Sequence, residues 1–233
     1  MANIVFTDRS NIRLGFEIEC YIKDRHIDEW EKAVTLFHRS NNIDDDGSIE
    51  TPDWEDGTLF QTYEIQTAVL PPLSALNNLK ALFDAVAKWG GTNETCGLHL
   101  NISSTSKRRM KAFNPFPFVA SPIWNRMVKD FNREDNDYCV PPDLEGGPME
   151  IFESLGGGDG WGTNGCSFFD KDSCVNFANW DGGDGETSRV EIRGMGGNKY
   201  HYRFPLVSTY TGKVMKLFML CCDIPLIDTR FKV

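Results

Sequence analysis

Several features that would fix the class of this 233-residue chain at once are missing from it. It has no Cys-x-x-Cys pair: Cys20, Cys96, Cys139, Cys166, Cys174, Cys221 and Cys222 are dispersed, which excludes a zinc knuckle and a thioredoxin-type redox motif. An odd number of scattered thiols points instead to a reducing, cytoplasmic setting. Apolar runs are short. Leu217 to Cys222, the longest, falls far below the roughly 20 residues that span a bilayer. Asp8, Arg9 and Arg13 interrupt the start of the chain, where a signal peptide needs an unbroken apolar stretch. No membrane partner is therefore expected, and the sequons at Asn93 and Asn101 carry no glycosylation meaning. Basic charge is scarce as well: 24 Lys and Arg against 34 Asp and Glu give a net charge of −10 and a pI near 4.9. A phosphate-backbone binder normally shows the opposite balance, so nucleic acid is not an expected partner.

Neither a repeat nor a Walker loop is present. The glycine-rich stretch from Gly146 to Gly165, centred on Gly156-Gly157-Gly158-Asp159-Gly160, lacks the lysine that completes such a loop. It reads as a mobile loop or long hairpin in preference to a lid.

What is present is ordinary globular material. Apolar residues make up 40 % of the chain, and the length suits one elaborated domain with a sizeable core. A 3.6-residue period marks helices over Asp28 to Arg39, Ser74 to Trp89 (with Ser74 as cap), the residues after Ser121-Pro122, and about Pro205 to Cys222. Period-two alternation marks strands over Ile12 to Ile22, Tyr63 to Ala68, Gly97 to Ser103, Cys174 to Asn179 and Arg189 to Gly194. Parallel strands covered on both faces read as unbroken apolar runs. These alternate, so the expected fold class is α+β, with a mostly antiparallel sheet and helices packed on one face.

The polar half of that alternation carries the chemistry. Residues i and i+2 of a strand share a face. In Phe16-Glu17-Ile18-Glu19-Cys20 the two glutamates therefore stand together, away from the core. Tyr63-Glu64-Ile65-Gln66 repeats the arrangement, Leu98-His99-Leu100-Asn101 adds an imidazole and an amide, and Arg189-Val190-Glu191-Ile192-Arg193 adds Arg, Glu and Arg. A solvated sheet face would mix in Lys, Ser and Thr, and this one has none. Neighbouring carboxylates repel unless a cation lies between them. Oxygen ligands with at most one imidazole suit Mg²⁺ or Mn²⁺ better than zinc.

Taken in order, Gly15-Phe16-Glu17-Ile18-Glu19, Asp46-Gly47-Ser48, Tyr63-Glu64-Ile65, Cys96-Gly97-Leu98-His99-Leu100 and Arg189-Val190-Glu191-Ile192-Arg193 resemble the amidoligase family. These are carboxylate–amine ligases related to glutamine synthetase and glutamate–cysteine ligase, found in bacteria and their phages. The match covers roughly residues 12 to 200 and includes Cys174-Val175-Asn176-Phe177. It departs from the family where many members read Gly-Leu-His-x-His: the second His is Asn101 here. The resemblance implies one catalytic domain over residues 1–233 with a glutamine-synthetase-like curved sheet. It also implies ATP and Mg²⁺ (or Mn²⁺) as cofactors, and amide bond formation between a carboxylate and an amine through an acyl phosphate. By similarity, Glu17, His99 and Glu191 would hold the ion that bridges the ATP phosphates, and Glu19 and Glu64 the ion on the acceptor side. Arg193 would neutralise the phosphoryl group in transfer, with Arg189 a second candidate. His99, Asn101, Gln66 and Arg193 would line the nucleotide site, and Asp46 would serve as the base for the amine. The implied location is the cytoplasm of a bacterium, or of a host if phage-encoded. Oligomers are common among synthetase relatives.

Two other classes compete with this reading: a non-catalytic, phage-associated relative that keeps the fold for binding, and a metal-dependent phosphotransferase or hydrolase. Intact Glu17, Glu19, Glu64, His99, Glu191 and Arg193 argue against the first. The lack of a His-rich cluster argues against the second. Asn42 to Ile49 partly fits a calcium loop, but its twelfth position is Asp53 and Pro52 spoils the exiting helix. An acidic turn leading into a strand is the better reading there. Lys107-Arg108-Arg109-Met110-Lys111 reads as a solvated basic face, and His201 is a candidate lining residue.

Overall fold

The alternation that starts at Ile12 produces one long strand, β1 (Ile12–Lys23), which becomes the axis of the sheet. The computed structural model describes residues 11–52, 57–142, 173–180 and 188–223. In chain order the further strands are β2 (Asn42–Asp45), β3 (Phe60–Gln66), β4 (Gly90–Gly91), β5 (Gly97–Ser104), β6 (Val175–Asn176) and β7 (Val190–Gly196). They form one sheet in the order β2-β3-β1-β5-β7-β6, and β4 pairs with the far end of β1. Every ladder is antiparallel, as expected from strands that alternate. β4 needs glycine: a Cβ on Gly90 would sit 1.9 Å from the Tyr21 carbonyl oxygen.

The helices are α1 (Ile27–Phe37), α2 (Pro72–Trp89), α3 (Lys107–Ala112), α4 (Pro115–Val119), α5 (Ile123–Asp130) and α6 (Phe204–Asp223). The apolar side chains of β1, from Ile12 through Ile22, join Trp30 and Val34 of α1, Leu79 and Phe83 of α2, Trp124 and Met127 of α5, and Tyr210 and Phe218 of α6 in a single buried cluster. Rings fill much of it: Trp30 lies 4.7 Å from Tyr63 of β3, and Phe113 stacks on Phe218 at 5.0 Å. Burying this area is the main favourable term in folding. No described helix is long and apolar enough to cross a membrane.

Some expectations need correcting. Ser74 does not cap α2; the helix begins at Pro72 behind Pro71, whose fixed φ suits a first turn. Phe37, which the helical period places on one stripe with Trp30, Ala33 and Val34, is exposed. The strand expected over Cys174 to Asn179 shrinks to Val175–Asn176, because Asn176 Oδ1 accepts from Ala178 N and turns the chain. In the acidic segment the strand comes first: β2 precedes the Asp46-Gly47-Ser48 turn, which is closed by Ser48 N and Oγ donating to Asp46 Oδ1. The basic run forms α3, with Lys107, Arg108 and Lys111 exposed and Met110 buried beneath them. The glycine-rich segment expected over residues 146–165 lies outside the described residues.

Candidate functional site

Register decides which polar side chains meet. Glu17 stands between Gln66 of β3 and His99 of β5, Glu19 stands opposite Glu64, and Gly15 stands opposite Asn101. Asn101 in turn faces Glu191 of β7, which faces Asn176 of β6. Between Leu98 and Leu100 the pairing with β7 slips: Met195 opposes Leu98 and Ile192 opposes Leu100. Arg193 and Gly194 together therefore oppose the single residue His99, a bulge of the kind that re-aims side chains beside functional sites.

The far face of the sheet is thus hidden at its centre, with Glu17 and Glu64 half-buried and Gln66 exposed at the β3 side. Glu19, His99, Asn101, Asn176 and Glu191 are each at most 8 % exposed. His99 is the hub: its Nδ1 lies 2.9 Å from Glu17 Oε2 and 3.5 Å from Glu191 Oε1, and its Nε2 lies 3.3 Å from Glu19 Oε1. Asn101 spends both ends of its amide, donating to Glu17 Oε1 and accepting from Arg189 Nε, each at 2.9 Å. Glu191 accepts from Asn176 Nδ2 at 3.0 Å and from Arg193 Nη1 at 2.9 Å. Gln66 Nε2 donates to Glu64 Oε1 at 2.9 Å, and the backbone N–H of Gly97 donates to Glu19. Arg193 Nε is buried and makes no hydrogen bond among the described residues.

The electrostatics follow from this crowding. Burial pushes Glu17 toward the neutral acid, but the hydrogen bond and charge of His99, the Asn101 amide and the charge of Arg189 outweigh it, so its pKa falls below the usual value. Burial likewise disfavours the charged form of His99. The Glu17 hydrogen bond and the charges of Glu19 and Glu191 win against it and against Arg193, raising the imidazole pKa. Glu64 is raised, first by burial and then by the charges of Glu17 and Glu19, against the Gln66 hydrogen bond. The carboxylates around His99 therefore favour its protonated form.

Two ligand sets emerge. One donor atom each from Glu17, Glu64 and His99 lie within 4.8 Å of one another, and so do donor atoms of Glu19, Asp46 and Glu64. Glu64 belongs to both. Carboxylate oxygens with one imidazole fit Mg²⁺ or Mn²⁺. The expected pairings Glu17 with His99 and Glu19 with Glu64 are brought together. Glu191 instead spends its oxygens on Asn176 and Arg193, beside His99 but outside either set. Asp46, expected as a base, supplies the third oxygen of the second set.

Sequence reasoning could name the Arg133 to Tyr138 segment as a neighbour of the site but gave no role to Arg133, which is buried after α5 and donates through Nη1 to the carbonyls of Cys96 and Met195. It clamps the ends of β5 and β7 just past the site. No spacing rule links position 133 to positions 96 and 195. His201 does not join the site: among the described residues it bonds Thr92 Oγ1 at 3.0 Å and packs on the Tyr202 ring, and burial plus the charge of Lys199 lower its pKa to about 4.

Compared with known families and with curated proteins, the chain matches no family model and no curated sequence.

Proposed function

We propose that this protein is an ATP- and Mg²⁺-dependent ligase that joins a carboxylate to an amine, built on a glutamine-synthetase-like sheet. The two ligand sets that share Glu64, with Arg193 beside them, carry the proposal. Glu17, Glu64 and His99 would hold one divalent ion, and Glu19, Asp46 and Glu64 the other. Ions held there would withdraw charge from phosphate oxygens and favour phosphoryl transfer to the acid substrate. Arg193, fixed by Glu191, presents its guanidinium and the unused Nε donor to negative charge that develops beside the sets. Glu191 is itself held by Asn176, so the arginine is anchored through two hydrogen bonds to β6. Asn101 ties Glu17 to Arg189 and thereby does structural work that the family's second His would do differently. Asp46 we assign to the ligand set, not to proton abstraction. The substrates are a carboxylate and an amine, small or peptidic, and the setting is cytoplasmic.

The test is ADP release by purified protein with Mg²⁺ and ATP. The proposal requires release only when carboxylate and amine pools are both supplied. Release indifferent to amine would make the protein a phosphotransferase or hydrolase, and failure to bind ATP or Mg²⁺ would leave only a binding role. Glu17→Ala and Arg193→Ala should each abolish turnover with the fold intact.

A further inference from the structure

Four of the five ligand residues stand on the central strands: Glu17 and Glu19 on β1, Glu64 on β3 and His99 on β5. Their ladders hold them. Asp46 does not share that support. It follows β2, the outermost strand of the described sheet, where Asp46 N donates to Thr62 O at 3.0 Å. Gly47, Ser48 and Glu50 beyond it are exposed. A ligand has to be held within about 0.5 Å, so something further along the chain has to fix this segment. Ile49, buried in the core, is one anchor.

The second anchor is the turn between β4 and β5. Its side chains take both main-chain groups of Glu50: Glu50 N donates to Thr95 Oγ1 at 3.1 Å, and Asn93 Nδ2 donates to Glu50 O at 2.6 Å. Asn93 Oδ1 accepts from Thr95 N at 3.0 Å and from Thr95 Oγ1 at 2.7 Å, so amide and hydroxyl brace each other while they grip Glu50. The turn has its own supports. Thr92 O accepts from Lys199 N at 3.2 Å, and Glu94 Oε1 accepts from Asn198 Nδ2 at 2.9 Å. It opens into Gly97, whose N–H donates to Glu19. One turn thus reaches Glu19 through Gly97 and Asp46 through Glu50, and the Asn-Glu-Thr triplet that reads as a sequon has a structural use.

We propose that Asn93 and Thr95 are positioning residues for the second ion: they latch the segment after Asp46 to the start of β5 and so keep the Asp46 carboxylate against Glu19 and Glu64. The inference rests on the reading of those three carboxylates as a ligand set. Residues that orient a metal ligand carry roughly 10–100-fold in metal affinity, and here the effect is selective. Glu17 and His99 make their bonds with each other, Asn101, Glu19 and Glu191. The Glu17–Glu64–His99 set therefore keeps its ion when the latch opens.

Mn²⁺ binding is to be titrated by electron paramagnetic resonance on wild type, Asp46→Asn, Thr95→Val and Thr95→Ser, with exchange of the Glu50 amide hydrogen measured on the same proteins in EDTA. Wild type should bind one ion for each ligand set, and Asp46→Asn should weaken one of them. Thr95→Val keeps the shape and loses the hydroxyl. It should weaken that same ion by about tenfold or more, leave the other unchanged, and let the Glu50 amide exchange faster. Thr95→Ser should behave as wild type in both measurements, which a role in packing alone would not require. Three results overturn the latch while leaving the ligand set standing: loss in Asp46→Asn without loss in Thr95→Val, equal loss of both ions in Thr95→Val, or a Thr95→Ser variant as weak as Thr95→Val. A Glu50 amide as protected in Thr95→Val as in wild type overturns it too. A wild type that binds no ion sensitive to Asp46→Asn removes the ligand set, and the positioning role goes with it.

Discussion

The two faces of β1 are opposite in kind: one is wholly buried and apolar, the other polar, buried at Glu19 and half-buried at Arg13, Glu17 and Tyr21. Ile12, Leu14, Phe16, Ile18, Cys20 and Ile22 are each at most 1 % exposed, and they belong to the hydrophobic core. One residue along, Glu19 is 8 % exposed, and His99 of β5, whose Nε2 lies 3.3 Å from its carboxylate, is 3 % exposed. Burying the first set stabilises the fold. Burying the second opposes it, because charged groups leave water for partners that only partly replace it. A protein selected for stability alone would have no use for that second face.

That contrast can be broken or sharpened by substitution. The largest effect should come from the apolar face: Phe16→Ala should lower unfolding free energy in urea by about 3–5 kcal/mol, and a loss as small as that of Glu17→Ala would erase the distinction between the faces. Asn101→Ala comes next. It leaves Glu17 Oε1 and Arg189 Nε without the bonds that Asn101 supplies, and should cost about 1–3 kcal/mol. Glu64→Gln should go the other way. Burial and the charges of Glu17 and Glu19 raise the Glu64 pKa, so its charged form destabilises the metal-free fold at neutral pH. Wild type in EDTA should gain stability as pH falls through that raised pKa, and the variant should not. The variant should melt slightly higher at pH 7 yet lose the rise in melting temperature that Mn²⁺ gives wild type.

The last effect concerns His201, away from both ligand sets, and is seen only as pH falls. Its folded pKa of about 4 lies below the ordinary 6.5, so the neutral ring contributes stability above pH 6.5 that is lost as pH falls toward 4. His201→Gln should flatten that part of the stability curve. Equal curves for the two proteins would show that the ring takes up its proton without strain.

Strands with clean alternation were legible in the sequence because one face of each is core: β1, β3 and β5 begin and end within a few residues of expectation. β2 was not, since Asn42–Asp45 is an edge strand with mostly exposed side chains and little apolar period to detect. α3 and α4 are too short for periodicity, and they announce themselves only by the caps Ser106 and Asn114. The candidate site was legible as residue types on one face. Which carboxylates share a ligand set was not, because it depends on how strands slide past each other. Glu64 joins both sets through its place opposite Glu19, Asp46 arrives from a turn, and the bulge beside His99 brings in Arg193. Arg133 lay beyond reach for the same reason, its bonds running to strand ends distant in sequence.

The order of strands along the chain also dictates when this site can exist. His99 and Glu17 are 82 positions apart, and Arg189 lies a further 88 beyond Asn101. During synthesis at about 5–20 residues per second, the nascent chain has Glu17, Glu64 and His99 in hand roughly 4–18 s before Arg189, Glu191 and Arg193 leave the ribosome. For that interval the carboxylates of β1 and β3 lack the arginines that balance them, and β5 lacks its neighbour. Newly made chains are therefore most exposed to mispairing in the window before β7 arrives.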